Sequence, residues 1–384
     1  LPFFSYGTRD PTEVFLKQPM HQSSMNCEGP LKLPHRSHFQ SLLCCSAVAL
    51  ACFFFSGCYV FKQSAYFLNH QMRARPIEKL RADPAISDSQ RQFLDEIGRI
   101  RAFATDSMGY VRNRNYTRLV HIDSSYLLAM LSAADSASFT VKKWCYPFIG
   151  CFPLRSYFDV RDARRAGNQL VRKGYEICIE KVDGYSTLGI FSDPVYSFMA
   201  DYPAYYLAAY IFHEQTHATV YLNNVQFSEE FASFMAREGA LRYLQARYGP
   251  ASAQYRDALQ LIKDNTTWLS LLRGLTADLD TIYHRPVNRA EKLALKKTTV
   301  ERFRALLSSS YDSLFVSSHF RGAEKLSFNN AYLSVHMTYS KDLDLFAQLY
   351  EKYGRDLKRM TAFAVSLRKQ RGNPKEFLQK EIGR

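Results

Sequence analysis

Residues 213–217 of this 384-residue chain read His-Glu-Gln-Thr-His. No other stretch constrains the fold as tightly, because this spacing brings its groups together only on a helix. There, residues four apart stand one turn above each other on the same side. His213 and His217 then aim both imidazoles at one point and can grip a single metal ion. Glu214 is adjacent in angle and can polarise a water molecule there. The flanking residues predict such a helix. Asp201 and Pro203 mark its start, Leu207, Tyr210, Ile211 and Ala218 continue an apolar stripe, and Asn223-Asn224 marks its stop. A helix that merely carries two core histidines is the plainer alternative.

Two histidines leave a catalytic zinc site one ligand short, since such sites keep three protein ligands and one open position. At the metzincin spacing a third histidine falls at position 223, which is Asn, and Val220 stands where that class has glycine. The next helix offers an acid instead, in Phe227-Ser228-Glu229-Glu230-Phe231-Ala232. Ser228 reads as its N-cap and Gly249-Pro250 as its end. Glu229 shares a face with Ala232, Ser233, Ala236 and Ala240, small residues that let another helix come close. Glu230 is turned about 100° from it. His213, His217 and Glu229 are therefore the expected ligands, and Zn²⁺ the expected ion. Two acids that only complement the dipole of a first helical turn are the alternative.

Elsewhere, helices are expected over 59–82, 87–108, 159–173, 203–222, 228–248, 251–282 and 287–309, with several more to 384. Residues 144–158 hold two Pro, a Gly and six aromatics and read as a packed loop. Strands are expected over Tyr175–Val182 and Tyr185–Phe191, joined by an Asp183-Gly184 turn. The expected class is mainly α, with a small β-hairpin or sheet preceding the His-Glu-Gln-Thr-His helix.

Residues 42–55, LLCCSAVALACFFF, carry no charge and follow His35, Arg36 and His38. Fourteen residues fall short of the roughly 20 that span a bilayer. A basic flank, a short apolar core and small residues is the layout of a secretory signal. Phe55-Ser56-Gly57-Cys58 resembles a bacterial lipobox, with Phe55 where Leu is usual. That resemblance implies cleavage before Cys58 and a diacylglyceryl group on it. Tyr59, in place of Asp, implies retention at the outer membrane, facing the periplasm. An uncut signal anchor or a buried core helix is the alternative. The expected organisation is a leader with a disordered extension over 1–57 and one domain over 58–384. In an oxidising compartment Cys145 and Cys151 suit a disulfide, with two free thiols as the alternative. The net charge of +14 suggests nucleic acid by its sign alone. No nucleic-acid-binding motif accompanies it and an export signal opposes it, so an exported basic chain meets anionic lipid and cell wall first, with a solvated surface that has no partner as the equal alternative.

Several segments occur in a telling order: SGC at 56–58, ARPI at 74–77, WCYPFIGC at 144–151, RSYFD at 155–159, YSTLGIFSDP at 185–194, then the two-histidine motif, FSEEFASFMAREG at 227–239 and NNAYL at 329–333. Together they resemble a bacterial family of predicted aminopeptidase lipoproteins, with Ser228 in place of Asn and Gly184 in place of Ala. The resemblance implies a gluzincin-like zinc metallopeptidase hydrolysing peptides at the cell envelope. In that mechanism Glu214 moves the proton of the attacking water to the leaving amine. Tyr185, Tyr221 and Tyr339 are candidate oxyanion donors, with Tyr339 assigned to catalysis. Tyr185, Ser186 and Thr187 are assigned to substrate binding along their strand. Glu230 is a candidate for the substrate amine, and Arg155 for a substrate carboxylate or a structural ion pair. The rival readings are an endopeptidase, and an envelope lipoprotein that keeps its metal as a structural staple.

Overall fold

The computed structural model describes residues 59–146, 150–184, 192–220, 222, 224–338 and 343–383. The leader, with Cys58, lies outside them. A helix over 59–73 (α1) opens the described chain. The single helix expected over 59–82 is broken at Pro76, because proline holds the residue before it extended. Arg75–Pro76 (β1) pairs with a later strand, and Ile77–Arg81 (α2) resumes the helix. Asp88–Asp106 (α3) starts at a reciprocal cap. The Ser87 side chain accepts from the Gln90 backbone, and the Gln90 side chain accepts from the Ser87 backbone.

The strands Arg118–Val120 (β2), Leu128–Asp135 (β3), Trp144–Tyr146 (β4), Gly150–Phe152 (β5) and Leu154–Tyr157 (β6) come next. Then follow helix Val160–Val171 (α4) and strands Tyr175–Val182 (β7) and Val195–Tyr196 (β8). The remainder is helical: Ala204–Thr219 (α5), Val225–Tyr248 (α6), Ala253–Tyr283 (α7), Arg289–Ser309 (α8), Tyr311–Leu314 (α9), Asn330–Thr338 (α10), Asp344–Lys352 (α11), Leu357–Ser366 (α12) and Pro374–Gly383 (α13).

Two expectations change. Within the stretch read as a packed loop, residues 144–146, 150–152 and 154–157 are strand. β4 and β5 form an antiparallel pair in which Cys145 faces Cys151, and the two are joined by a disulfide. β6 joins a different sheet. That sheet is built on β3, which the sequence reading passed over. β3 runs antiparallel to both β6 and β7, with Leu131 opposite Arg155 on one side and Ile179 on the other. Seven of its eight residues are buried, so it shows no alternation, and its Leu, Ala and Met suit a helix equally well. Within the described residues the partner of β7 is thus β3. The expected hairpin partner, 185–191, lies outside them.

The sheet separates two packing layers. Ala129, Leu131, Ala133, Ile177 and Ile179 meet α4, where Gly167 allows close approach. A Cβ on Gly167 would lie 2.7 Å from the Ile177 side chain. Leu128, Met130 and Val182 meet Val335 of α10 on the other face. Asn330 fixes α10 there. It is fully buried, donates to the carbonyls of Asp135 and Ser138 at 2.8 and 2.9 Å, and accepts from Tyr283 at 2.7 Å and Lys296 at 3.0 Å. Lys296 also pairs with Glu176 at 2.6 Å. One side chain thereby ties α7, α8 and the sheet to α10, and Asn329 donates to the Ile177 carbonyl at 2.8 Å on β7. These two asparagines are the first two residues of the NNAYL segment.

Asn330→Ala strands several buried partners at once, each costing about 1–3 kcal/mol when left unpaired. A urea titration of this variant is expected to show a loss of at least about 2 kcal/mol, with no change in the slope of the transition.

Candidate metal centre

Helix α5 is buried on every side: all residues from Tyr205 to His217, and Thr219, are buried. Such a helix belongs to a protein core, yet this one carries five consecutive polar residues from His213 to His217. Burying a polar group is costly unless it is partnered. The outward pair is satisfied locally. Asn113 donates to Gln215 Oε1 at 2.5 Å, and the hydroxyls of Tyr110 and Thr216 lie 2.6 Å apart. Arg368 reaches back to the Thr219 carbonyl and ties the C-terminal region to the end of the helix.

The Nε2 atoms of the two histidines meet each other and a carboxylate of α6, while His213 Nδ1 is buried with no hydrogen-bond partner. His213 Nε2 and His217 Nε2 lie 3.2 Å apart. Glu229 Oε2 is 3.4 Å from the first and Oε1 is 3.2 Å from the second. The His side chains are 5 % exposed and that of Glu229 is 15 % exposed. This is the one group of three His, Cys, Asp or Glu side chains among the described residues arranged to hold a metal ion. A tetrahedral ion bonded at about 2.0–2.1 Å holds its ligand atoms about 3.3 Å apart. The two imidazole nitrogens, 3.2 Å apart, match that edge length, Glu229 meets them through different oxygens, and one donor atom from each residue lies within 4.8 Å of the others, so the three fit an ion in donor type and reach.

Charge leads to the same place. Burial by itself raises the Glu229 carboxyl, but the His217 and His213 imidazoles bonded to it draw it well below the usual carboxylate range. Burial lowers the His213 imidazole, against the pull of Glu229. Burial thus favours the neutral His213 ring and the two imidazoles favour the charged Glu229 carboxylate, so nitrogen and carboxylate donors converge on one buried point.

Glu229 reaches this point because α6 starts earlier than the sequence suggests. Its N-cap is Asn224, whose side chain accepts from Phe227 N at 2.9 Å, and not Ser228, whose hydroxyl bonds the Asn224 carbonyl at 2.9 Å. Glu229 and Glu230 consequently sit beyond the first turn, and a dipole-pairing role does not account for them. Ala232, Ala236 and Ala240 are fully buried and let α6 lie close to α5. Glu230 points elsewhere, 2.8 Å from Lys375 of α13 and 2.9 Å from Gln226. Arg155 has no ion pair among the described residues. Its guanidinium lies 3.9 Å above the Tyr59 ring. Tyr185, Ser186, Thr187, Tyr221 and Tyr339 lie outside the described residues.

Sequence reasoning missed the groups behind Glu214. Tyr210 lies one turn before it on α5, and the Tyr210 and Tyr116 rings meet edge to face at 5.8 Å. Burial pushes both phenols far up, and the negative charges of Glu214 and Asp193 push them further. Tyr116 has a left-handed backbone (φ 59°), held by its N–H donating to the Asp193 carbonyl at 2.7 Å. The position of Tyr210, four residues before Glu214, was the only available signal. On β7 and α10, Glu180 and His336 form a second buried pair, 3.3 Å apart. Gly184, a departure from the family pattern, also has a local reason. A Cβ there would lie 2.2 Å from the Tyr210 hydroxyl.

A family model described as "putative aminopeptidase" matches residues 58–377, which is more than half of the chain. No curated protein and no solved structure matches the chain.

Gly184→Ala is expected to lower the melting temperature, at a cost of about 1–3 kcal/mol from overpacking. Adding Tyr210→Phe should recover part of that loss, because it removes the oxygen the new methyl meets. Additive losses in the double variant would show that the two positions do not touch.

Proposed function

The chain belongs to this aminopeptidase family, and on that premise we propose that it is a zinc-dependent peptidase of the cell envelope, acting on the amino-terminal end of peptides. Family membership supports peptide hydrolysis, and the metal reading rests on one observation. Two imidazole nitrogens and the two oxygens of one carboxylate meet at 3.2–3.4 Å at a buried spot. Zinc suits two nitrogen ligands and one oxygen ligand with a fourth position left for water or substrate.

His213, His217 and Glu229 would hold the ion. A divalent ion there supplies a nucleophile at neutral pH and polarises the carbonyl to be cleaved. The chain's own residues perform the remaining steps. Glu214 follows His213 directly on the same buried helix, and its carboxylate takes the proton of the attacking water and passes it to the leaving amine. Tyr339, Tyr185 and Tyr221 are the proposed donors to the developing oxyanion, and Tyr185 to Thr187 the proposed substrate strand. Glu230 would meet a substrate amine only by exchanging its present partner, Lys375. The envelope location rests on the leader: an uncharged run over 42–55 followed by Ser-Gly-Cys, with Cys58 as the lipid attachment site.

Glu214→Gln is expected to keep its metal by elemental analysis while hydrolysis of aminoacyl chromogenic amides falls about 10²–10⁴-fold. Undiminished turnover in that variant would remove Glu214 from the mechanism. His213→Ala should lose metal and activity together.

Chelation is expected to lower the melting temperature of the natural chain, and added zinc to restore it. An ion at 100 times its dissociation constant stabilises the fold by about 2.7 kcal/mol. Glu229→Ala should blunt that response. A chelator-insensitive melting curve in metal-loaded natural protein would speak against ion binding by the folded state.

A further inference from the structure

Helix α1 has two contrasting faces. One is docked against the sheet region. The Tyr59 hydroxyl donates to the Ser156 carbonyl at 2.5 Å, and Gln63 accepts from Phe158 N at 2.9 Å. Tyr66 stacks on Phe158, and His70 sets its edge against Phe158 and Tyr196. Lys62 pairs with Asp162 of α4 at 2.6 Å. The helix is thus held at both ends and along its back.

The opposite face is apolar and open. Phe61 is 78 % exposed, Leu68 52 % and Met72 78 %. At about 100° per residue, positions 61, 65, 68 and 72 fall within roughly 60° of one another, so these side chains and Ala65 form one stripe. Val60 adds to its margin. Nine large hydrophobic residues are exposed among the described residues, and four of them lie on this one helix. Scattered exposure is ordinary, but a stripe on a firmly docked helix indicates a partner.

Charge and chain direction identify the kind of partner. Lys62 and Arg73 lie on α1, Arg75 just after it, and Arg161 and Arg165 on the adjoining α4; Lys62 and Arg165 pair with Asp162, Arg161 with Asp159 and Arg75 with Asp83, so these five basic groups meet three acids and the border stays net positive. The uncharged run 42–55 ends three residues before α1 begins. The open face of α1 therefore starts beside a segment that itself needs apolar surroundings. No helix among the described residues is long and apolar enough to cross a membrane, and α1 is no exception.

We propose that α1 lies along a bilayer surface bearing anionic headgroups, with Phe61, Leu68 and Met72 among the acyl chains and the basic side chains at headgroup level. An apolar face with a cationic border is the arrangement that binds at such an interface. Because the back of α1 is fixed to β6 and α4, the contact sets the orientation of the whole domain, which a flexible tether alone does not do. The inference does not depend on the metal chemistry.

The test uses the full chain in vesicles of phosphatidylethanolamine and phosphatidylglycerol whose acyl chains carry bromine. Phe61→Trp, Leu68→Trp and Met72→Trp are made singly, with Leu259→Trp on α7 as the distant exposed control. The added fluorescence at 61, 68 and 72 is expected to be blue-shifted and at least halved by the brominated lipid, and that at 259 to be unaffected. Red-shifted, unquenched emission at all three sites would show a face in water and overturn the proposal. Blue-shifted but unquenched emission would show a face covered by protein, either residues 1–58 or a second copy, and would overturn it equally. Quenching that is undiminished when phosphatidylcholine replaces phosphatidylglycerol would overturn the role given to the basic border. None of these readings needs turnover, so a failed peptidase assay leaves the test intact.

Discussion

Two imidazoles and a carboxylate share one buried spot, and much of the molecule is arranged around that cost. Polar groups withdrawn from water must find partners, and charged ones must find opposite charge. Gln215 and Thr216 are satisfied by residues 110–113, on one side of α5. His213, His217 and Glu229 meet on the other side, with their donor atoms converging. These three residues could hold a metal ion, since one donor atom from each lies within 4.8 Å of the others.

The close approach of α5 and α6 makes the convergence possible. Alanines at 232, 236 and 240 keep the helices near enough for a Glu side chain to reach both rings. Phe227, Phe231 and Phe234 turn away from the site and meet Phe346 of α11, which anchors α6 from behind. The convergence of these side chains is therefore a property of the packed helix pair and its C-terminal support, and small-residue patterning matters as much as the donor residues.

The sheet and α10 frame the opposite part of the molecule. β7 runs towards Asp183 and Gly184, and α10 towards residue 338, and the buried Glu180–His336 pair links the two. Asn330 and Lys296 fix the same elements from the other end. In the chain, β7 and α10 lead towards the segments that the sequence analysis expects to contact substrate and the oxyanion.

Much of this was legible in the residues. Helical spacing placed His213 and His217 on one face, and the small residues following Glu229 singled it out over Glu230. The long helices after residue 201 followed from their apolar periodicity. The strand β3 did not, because a strand buried on both faces loses the alternation that would reveal it. The true start of α6 was also hidden, because Asn224 and Ser228 are both good caps and only the backbone path chooses between them.

The sequence by itself determined the donor types, their spacing along one helix and the presence of an apolar leader, since these depend on residues near each other in the chain. Tertiary structure alone decided that Glu229 meets both imidazoles, that Tyr116 and Asp193 stand behind Glu214, that Lys375 claims Glu230, and that α1 keeps its apolar stripe uncovered. Each of those outcomes depends on contacts between segments far apart in the chain, and local pattern carries no information about which surfaces will finally meet.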